Sequence, residues 1–141
     1  MFSIDANSID KSLPVPVGSQ LYGLLSYALS FGGIPHGSKL QSVRHKIVDM
    51  QLRTDAARLL VYRGASVLEK TGACHNEASF AKVAGAECYM HCAYTGLHLL
   101  GGYGYTADSG LPMHFQDAKL FEIGGGAMEV QRDIIARGLG L

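Results

Sequence analysis

One seam constrains this chain more than any other feature. Leu40, Val43, Ile47, Met50, Thr54, Ala57, Val61, Gly64 and Leu68 follow one another at strictly alternating spacings of three and four. That spacing keeps one face of an α-helix turned toward a neighbour for about eight turns. No strand can carry it, because strand periodicity is two. A helix this long buries its stripe only against other helices of similar length, so the seam alone points to an all-helical packing. Ser38 offers a cap before the seam and Gly72 a stop after it. Arg44, Lys46, Asp49, Arg53, Asp55, Arg58 and Arg63 fall largely off the seam. They read as a solvated face, with Asp49 and Arg53 placed as a favourable pair four residues apart.

The flanking sequence extends the helical pattern. Leu21, Leu24, Leu25, Ala28 and Phe31 predict a helix over Ser19 to Phe31, ended by Gly32-Gly33 with Pro35 beyond. After Gly72, Asn76 and Glu77 supply a cap and a first-turn acid for a third helix running toward Leu100. Ala78, Ala81, Ala84, Gly85, Ala86, Cys88, Cys92, Ala93 and Gly96 make this helix slender, so neighbours approach it closely on several sides. Next come a glycine turn at Gly101 to Gly104, a loop holding Pro112, a short stretch from Phe115 to Ile123, and Gly124-Gly125-Gly126. A last helix spans Ala127 to Arg137, with Gly138 ending it. The expected fold is an all-α, antiparallel four-helix bundle over residues 19–141, preceded by an irregular lead-in arm, 1–18, punctuated by Pro14 and Pro16.

Charge excludes some functions. Twelve Lys and Arg balance twelve Asp and Glu, so no net field draws in nucleic acid or an anionic membrane. Only 17% of residues are charged against 48% hydrophobic, which suits a chain that buries part of its surface on a partner. No apolar run approaches the roughly 20 residues of a membrane span, and the first residues match neither a secretory signal nor a transit peptide. The expectation is a soluble, cytoplasmic protein. Cys74, Cys88 and Cys92 make an odd set, read as reduced thiols. Cys88, His91 and Cys92 lie within about a turn of one another, but a zinc site collects about four ligands from separate elements. Their small neighbours Ala84, Ala86 and Ala93 favour packing, and no metal is expected.

The two glycine clusters are where chemistry could reside. Both lie at helix ends, where bare amides approach a ligand without a side chain between them. Gly124 to Gly126 lead into a helix start suited to a phosphate or an oxyanion. Neither cluster has the strand-turn-helix setting of a dinucleotide fingerprint or a phosphate loop. Simple turns and a ligand site both remain open readings at this point.

Five segments, in order, resemble the acyl-CoA dehydrogenase family over roughly residues 31 to 138. They are Gln41-Ser42-Val43-Arg44-His45-Lys46, Glu77-Ala78-Ser79-Phe80-Ala81-Lys82, His98-Leu99-Leu100-Gly101-Gly102-Tyr103-Gly104-Tyr105, Asp117-Ala118-Lys119-Leu120, and Met128 to Arg137. The resemblance implies the family's carboxy-terminal four-helix domain, without its amino-terminal helical and middle β-domains. It further implies FAD as cofactor, shared with a partner chain, and cofactor-contacting roles for Gln41, for His98, Leu99, Leu100, Gly101 and Gly102, and for Ala127, Met128 and Glu129. The implied partners are an acyl-CoA dehydrogenase-like chain in a homo- or hetero-oligomer and, through it, an acyl-CoA substrate.

The sequence also departs from that family. The resemblance places the catalytic base at Gly125, and glycine cannot take a proton, so no catalytic residue is assigned. Glu122 and Glu129 are the nearby carboxylates, read as a structural or surface acid and a helix-start acid. The first 30 residues hold no Glu, and Asp5 and Asp10 fall in the arm. Ala28 stands where the family has an arginine, and His98 where it has a glutamine, which implies poor affinity for FAD. Three readings follow: a partner subunit or split-gene piece completing an FAD site and inactive alone, a non-catalytic interaction module, or a fragment of an ordinary dehydrogenase.

Overall fold

A computed structural model describes residues 40–141. The lead-in arm, the Ser38 cap and the helix expected over Ser19 to Phe31 lie outside the described residues. Those described form α1 (Gln41–Thr71), α2 (His75–Tyr105), a 3-10 turn (Ala107–Ser109), α3 (Leu111–Ile123) and α4 (Met128–Gly138), with no strand among them.

The seam folds as its spacing requires. Met50, Thr54, Ala57 and Gly64 are buried on α1, with Met50, Ala57, Cys88, Cys92 and Ala93 sharing one core. Thr54 satisfies its buried hydroxyl one turn back, donating to the Met50 carbonyl at 2.8 Å. The seam's ends do not bury: Leu40 and Leu68 are exposed. Gly72 ends α1 in the left-handed conformation, φ 75°, its amide donating to the Leu68 carbonyl at 2.8 Å. The short link to His75 turns the chain back, and α2 runs antiparallel to α1.

α2 is the central rod, packed by α1, α3 and α4. Its small residues make this possible. At Gly64 of α1 an added Cβ would sit 3.6 Å from Glu77 Cβ, and at Gly96 3.5 Å from Leu111 Cδ2. Leu111 is thus level with Gly96, while the Lys82 ammonium caps α3 by donating to the Phe121 carbonyl, so α3 runs antiparallel to α2. Tyr89, fully buried, anchors this contact: its hydroxyl lies 2.9 Å from His114 Nδ1 and its ring meets Phe121 edge-on at 5.7 Å. α4 also runs opposite to α2, with Arg132 paired to Glu87 and Gly138 seated on Asn76.

Four sequence expectations need correction. Pro112 belongs to the first turn of α3, which spans Leu111–Ile123, instead of to a loop before a short stretch at Phe115. A first-turn proline forfeits no helical hydrogen bond, since its amide would be unpaired there. α3 therefore supplies the fourth described helix. α2 starts at His75, with Cys74 at the cap position in place of Asn76. The Asn76 side chain is packed instead against Gly138, where a Cβ would come within 2.4 Å of Asn76 Nδ2. For that reason Gly138 is required inside α4, which spans Met128–Gly138 and ends one residue later than expected. The charged face of α1 is only partly solvated. Asp49 and Arg53 pair at 3.0 Å as expected, but Arg63 reaches Glu77 of α2 at 3.6 Å and lies over the Phe80 ring.

Candidate functional site

α2 is helical to Leu100 and breaks at Gly101, φ 56° and ψ −137°, before a last short turn ends at Tyr105. Only glycine adopts that backbone geometry readily. Gly101 and Gly102 are exposed among the described residues, and a Cβ on either would meet no described atom within 4 Å. Bare backbone is therefore left uncovered by the described residues. Gly104 is the opposite case: a Cβ there would lie 2.7 Å from the Leu97 carbonyl oxygen and 3.0 Å from Leu100 Cβ. Its missing side chain lets the turn fold back onto α2. Ser109 then locks the turn, its hydroxyl serving the Gly104 and Thr106 carbonyls, each at 2.8 Å, and accepting from the Leu111 amide at 3.2 Å.

Gln41, His98 and the glycines share one end of the helix pair. Asp49 of α1 meets His91 of α2 at 2.7 Å. Because the helices are antiparallel, Gln41 and His98 each lie about two turns beyond that contact, in the same direction. Both are exposed, whereas Leu99 and Leu100 are half-buried and pack against the core. Of the candidate residues, Gln41, His98, Gly101 and Gly102 thus lie on the outside, and the leucines are mainly packed as structural support. Arg44, His45 and Lys46 follow Gln41 in the first turns of α1, which hold no acid and no side-chain cap. That leaves this helix start electropositive.

Ala127, Met128 and Glu129 form a separate group. Arg132, one turn past Met128, pairs with Glu87, roughly 20 Å along α2 from Gly101 at 1.5 Å per residue. Gly125 and Gly126 adopt φ 70° and 98°, and the Gln131 side-chain amide donates to the Gly125 carbonyl at 3.3 Å. No side chain caps the amides that open α4, and Ala127 occupies the cap position. Glu129 is exposed, and Met128 is buried as an anchor for the helix. Of the carboxylates near the glycine loop, Glu122 is paired with Lys119 at 2.7 Å.

Cys88 and Cys92 point into the core toward α1, with Cys88 Sγ 3.7 Å from Thr54 Oγ1, whereas His91 turns outward to Asp49. The imidazole therefore does not converge with the two thiols, and no metal-ligating cluster of three His, Cys, Asp or Glu exists among the described residues. Cys92 and the Thr54 hydroxyl hold the Cys88 thiol down to about 7 against the opposing effect of burial, while Cys92 is pushed up by Cys88 and by burial. The Asp49–His91 contact between helices was not legible in the sequence, where Asp49 carried only its in-helix partner.

With this geometry in place, comparison with known proteins is decisive. The model of the acyl-CoA dehydrogenase C-terminal domain matches residues 35–140. The chain belongs to the acyl-CoA dehydrogenase family. It is 34% identical to the mitochondrial short-chain specific acyl-CoA dehydrogenase of Bos taurus over 145 residues, covering 96% of this chain but 35% of that protein. An acyl-CoA dehydrogenase of Bacillus subtilis is 36% identical over 97 residues, 69% of this chain and 26% of its own length. Among solved structures, butyryl-CoA dehydrogenase from Megasphaera elsdenii superposes with a TM-score of 0.79 at 29% identity, over 89% of this chain and 35% of that one. An FAD complex of PigA gives 0.82 at 25% identity, over 89% and 34%. The chain thus spans about a third of the relatives it matches, and the all-helical domain of the family is what it contains. No helix among the described residues is long and apolar enough to cross a membrane.

Proposed function

We propose that this chain supplies one wall of an FAD site in an acyl-CoA dehydrogenase assembly, completed by a partner chain, and is inactive alone. The observation that carries the proposal is the break at Gly101, which exposes bare backbone at the same end of the helix pair as Gln41 and His98. A diphosphate group suits such a place. Main-chain amides approach it unobstructed at Gly101 and Gly102, His98 offers a ring N–H, and the uncapped start of α1 with Arg44, His45 and Lys46 adds positive charge. The start of α4, at Ala127, Met128 and Glu129, offers further free amides and would serve a second part of the assembly's cofactor surface.

FAD, when bound, accepts hydride from an acyl-CoA thioester, and the reaction also needs a carboxylate to remove the proton next to the carbonyl. None is held in position near the glycine loop among the described residues. Gly125 occupies the family's base position, Glu122 is tied to Lys119, and Glu129 is exposed on the first turn of α4. The partner would bring the base, the acyl-CoA pocket and the rest of the flavin contacts. The cytoplasmic setting expected from the sequence belongs to this proposal.

Purification from the native source tests it. The expected result is co-elution with a larger flavin-bearing dehydrogenase chain, while the isolated chain is colourless and leaves acyl-CoA unoxidised. A yellow, active chain on its own would overturn the proposal. Within the assembly, Gly102→Leu would lower flavin occupancy; unchanged occupancy removes the glycine turn from the site.

A second reading draws on α3. Leu111, His114, Ala118 and Phe121 face α2, while Met113, Leu120 and Ile123 form an outer stripe, each about 60% exposed. A helix apolar on two sides is one that is covered on both, which also suits an interaction module. Recovery of the native protein as a flavin-free homodimer would favour that reading.

A further inference from the structure

Gly124, Gly125 and Gly126 join α3 to α4. A run of glycines has more backbone freedom to lose than any other tripeptide, so a fixed shape here needs a tether. Its ends are tied by main-chain bonds: the Gly124 amide donates to the Leu120 carbonyl at 2.6 Å, and the Ala127 carbonyl accepts from the Gln131 amide at 3.1 Å. Between those ends, among the described residues, the loop is held by Gln131 Nε2, which donates to the Gly125 carbonyl at 3.3 Å. Gln131 thus closes the first turn of α4 with its main chain and returns over the loop with its side chain.

Gly126 makes room for that return. A Cβ on Gly126 would collide with Gln131 Nε2 and lie 3.6 Å from its Cδ, so a side chain there displaces the amide from the Gly125 carbonyl. The backbone agrees, because φ is 70° at Gly125 and 98° at Gly126, values that glycine alone adopts readily. Gln131 and Gly126 are a matched pair.

The consequence falls on the start of α4. Gln131 is the first residue of that helix with a paired amide, no side chain caps the amides before it, and Ala127 holds the cap position. A loose glycine loop can turn its own carbonyls onto those amides and cancel the positive end of the helix. With its carbonyl engaged by Gln131, Gly125 cannot do so, and the amides stay open.

We infer that Gln131 is a positioning residue: its side-chain amide, admitted by the bare Gly126, latches the glycine loop and keeps the first amides of α4 available to the assembly's flavin surface. The flavin part rests on the proposed function above; the latch itself does not.

Nitrogen-15 relaxation of the full chain reads the latch. The amides of Gly125, Gly126 and Ala127 should have order parameters like those of helical amides, roughly 0.85, and Gln131→Leu should lower them below about 0.6. Gln131→Glu keeps the length and shape but offers no donor when ionised, and should loosen the loop as much. Gly126→Ala should do the same by occupying the amide's place. Adding it to Gln131→Leu should change nothing further, since both remove one interaction. Helical circular dichroism should be unaffected, because the main-chain bonds of α4 are untouched. The native assembly rebuilt with the Gln131→Leu chain should hold less flavin and show a shifted flavin absorption band.

Order parameters at 125–127 that are already low in the native chain, or equal in native and Gln131→Leu chains, would overturn the latch. A loop that loosens while flavin occupancy and spectrum stay native would overturn the positioning role. A native assembly without flavin would refute the proposed function instead, and the relaxation measurement would still decide the latch.

Discussion

Gly104→Ala is the sharpest test of the glycine turn, because its neighbour Gly102 supplies the control. At Gly104 the new methyl would lie 2.7 Å from the Leu97 carbonyl oxygen and 3.0 Å from Leu100 Cβ. Ordinary contacts of this kind begin at 3.4 Å, so these two fall short by 0.7 and 0.4 Å. The obstructing oxygen belongs to α2's backbone, so no rotamer relieves the clash. Either the break at Gly101 re-forms or the turn lifts from α2, loosening the Ser109 hydroxyl from the Gly104 carbonyl. Overpacking of this sort costs about 1–3 kcal/mol, and an impaired hydrogen bond adds about 1 kcal/mol. At Gly102 the methyl meets nothing within 4 Å, so Gly102→Ala should be neutral or slightly stabilising through helix propensity. Urea unfolding followed by helical circular dichroism should separate the two variants by about 2 kcal/mol or more. Indistinguishable midpoints would show that the turn does not pack on Leu97 and Leu100 as described.

Other outcomes follow from single contacts. Tyr89→Phe should lower stability by about 0.5–1.5 kcal/mol by removing the hydroxyl paired with His114, measured by thermal unfolding near neutral pH. Met50→Ala should cost about 2–5 kcal/mol, since Met50 is wholly buried in the α1–α2 core. Asp49 has a folded value below 3.8, so its contribution is present above that value and lost as pH falls through the lower folded one. Asp49→Asn should accordingly flatten the acid limb of the stability curve below about pH 4. Gly138→Ala should destabilise by about 1–3 kcal/mol through collision with Asn76; an unchanged melting temperature would refute that packing.

Periodicity made α1 legible because its seam is long and uninterrupted: Met50, Thr54, Ala57 and Gly64 are buried as read. The slenderness of α2 was legible for a similar reason, since runs of Ala and Gly have few uses other than close approach. α3 was not, because its two apolar stripes blur the periodic signal and Pro112 looks like a breaker unless the helix start is known. The Gly72 stop holds, but the Asn76 cap does not, because a tertiary contact claims the residue: Asn76 packs on Gly138 instead of closing α2's first turn. At the candidate site, glycine spacing located the turn but could not distinguish open Gly101 and Gly102 from obligatory Gly104. The Asp49–His91 contact joins residues on different helices, and no local pattern announces it.

On the proposed reading, in which Gly125 stands at the family's base position, the loop geometry argues that a glutamate there would not make the chain catalytic alone. Gly125 holds φ 70° and Gly126 φ 98°, and a Cβ at Gly126 would lie 2.4 Å from the Gln131 side-chain nitrogen. A glutamate at Gly125 would enter the left-handed region, at a cost of about 1–2 kcal/mol, while its Cβ meets nothing within 4 Å. The carboxylate would be tethered to a strained, solvated loop with no wall to hold or desolvate it. A useful base needs both a fixed position and a shifted proton affinity, and those would have to come from surfaces outside the described residues. Gly125→Glu should thus lower the unfolding midpoint slightly and give the isolated chain no acyl-CoA oxidation, even with FAD added. Activity gained from this single change would mean that the chain already holds a substrate site, and the division of labour with a partner would have to be abandoned.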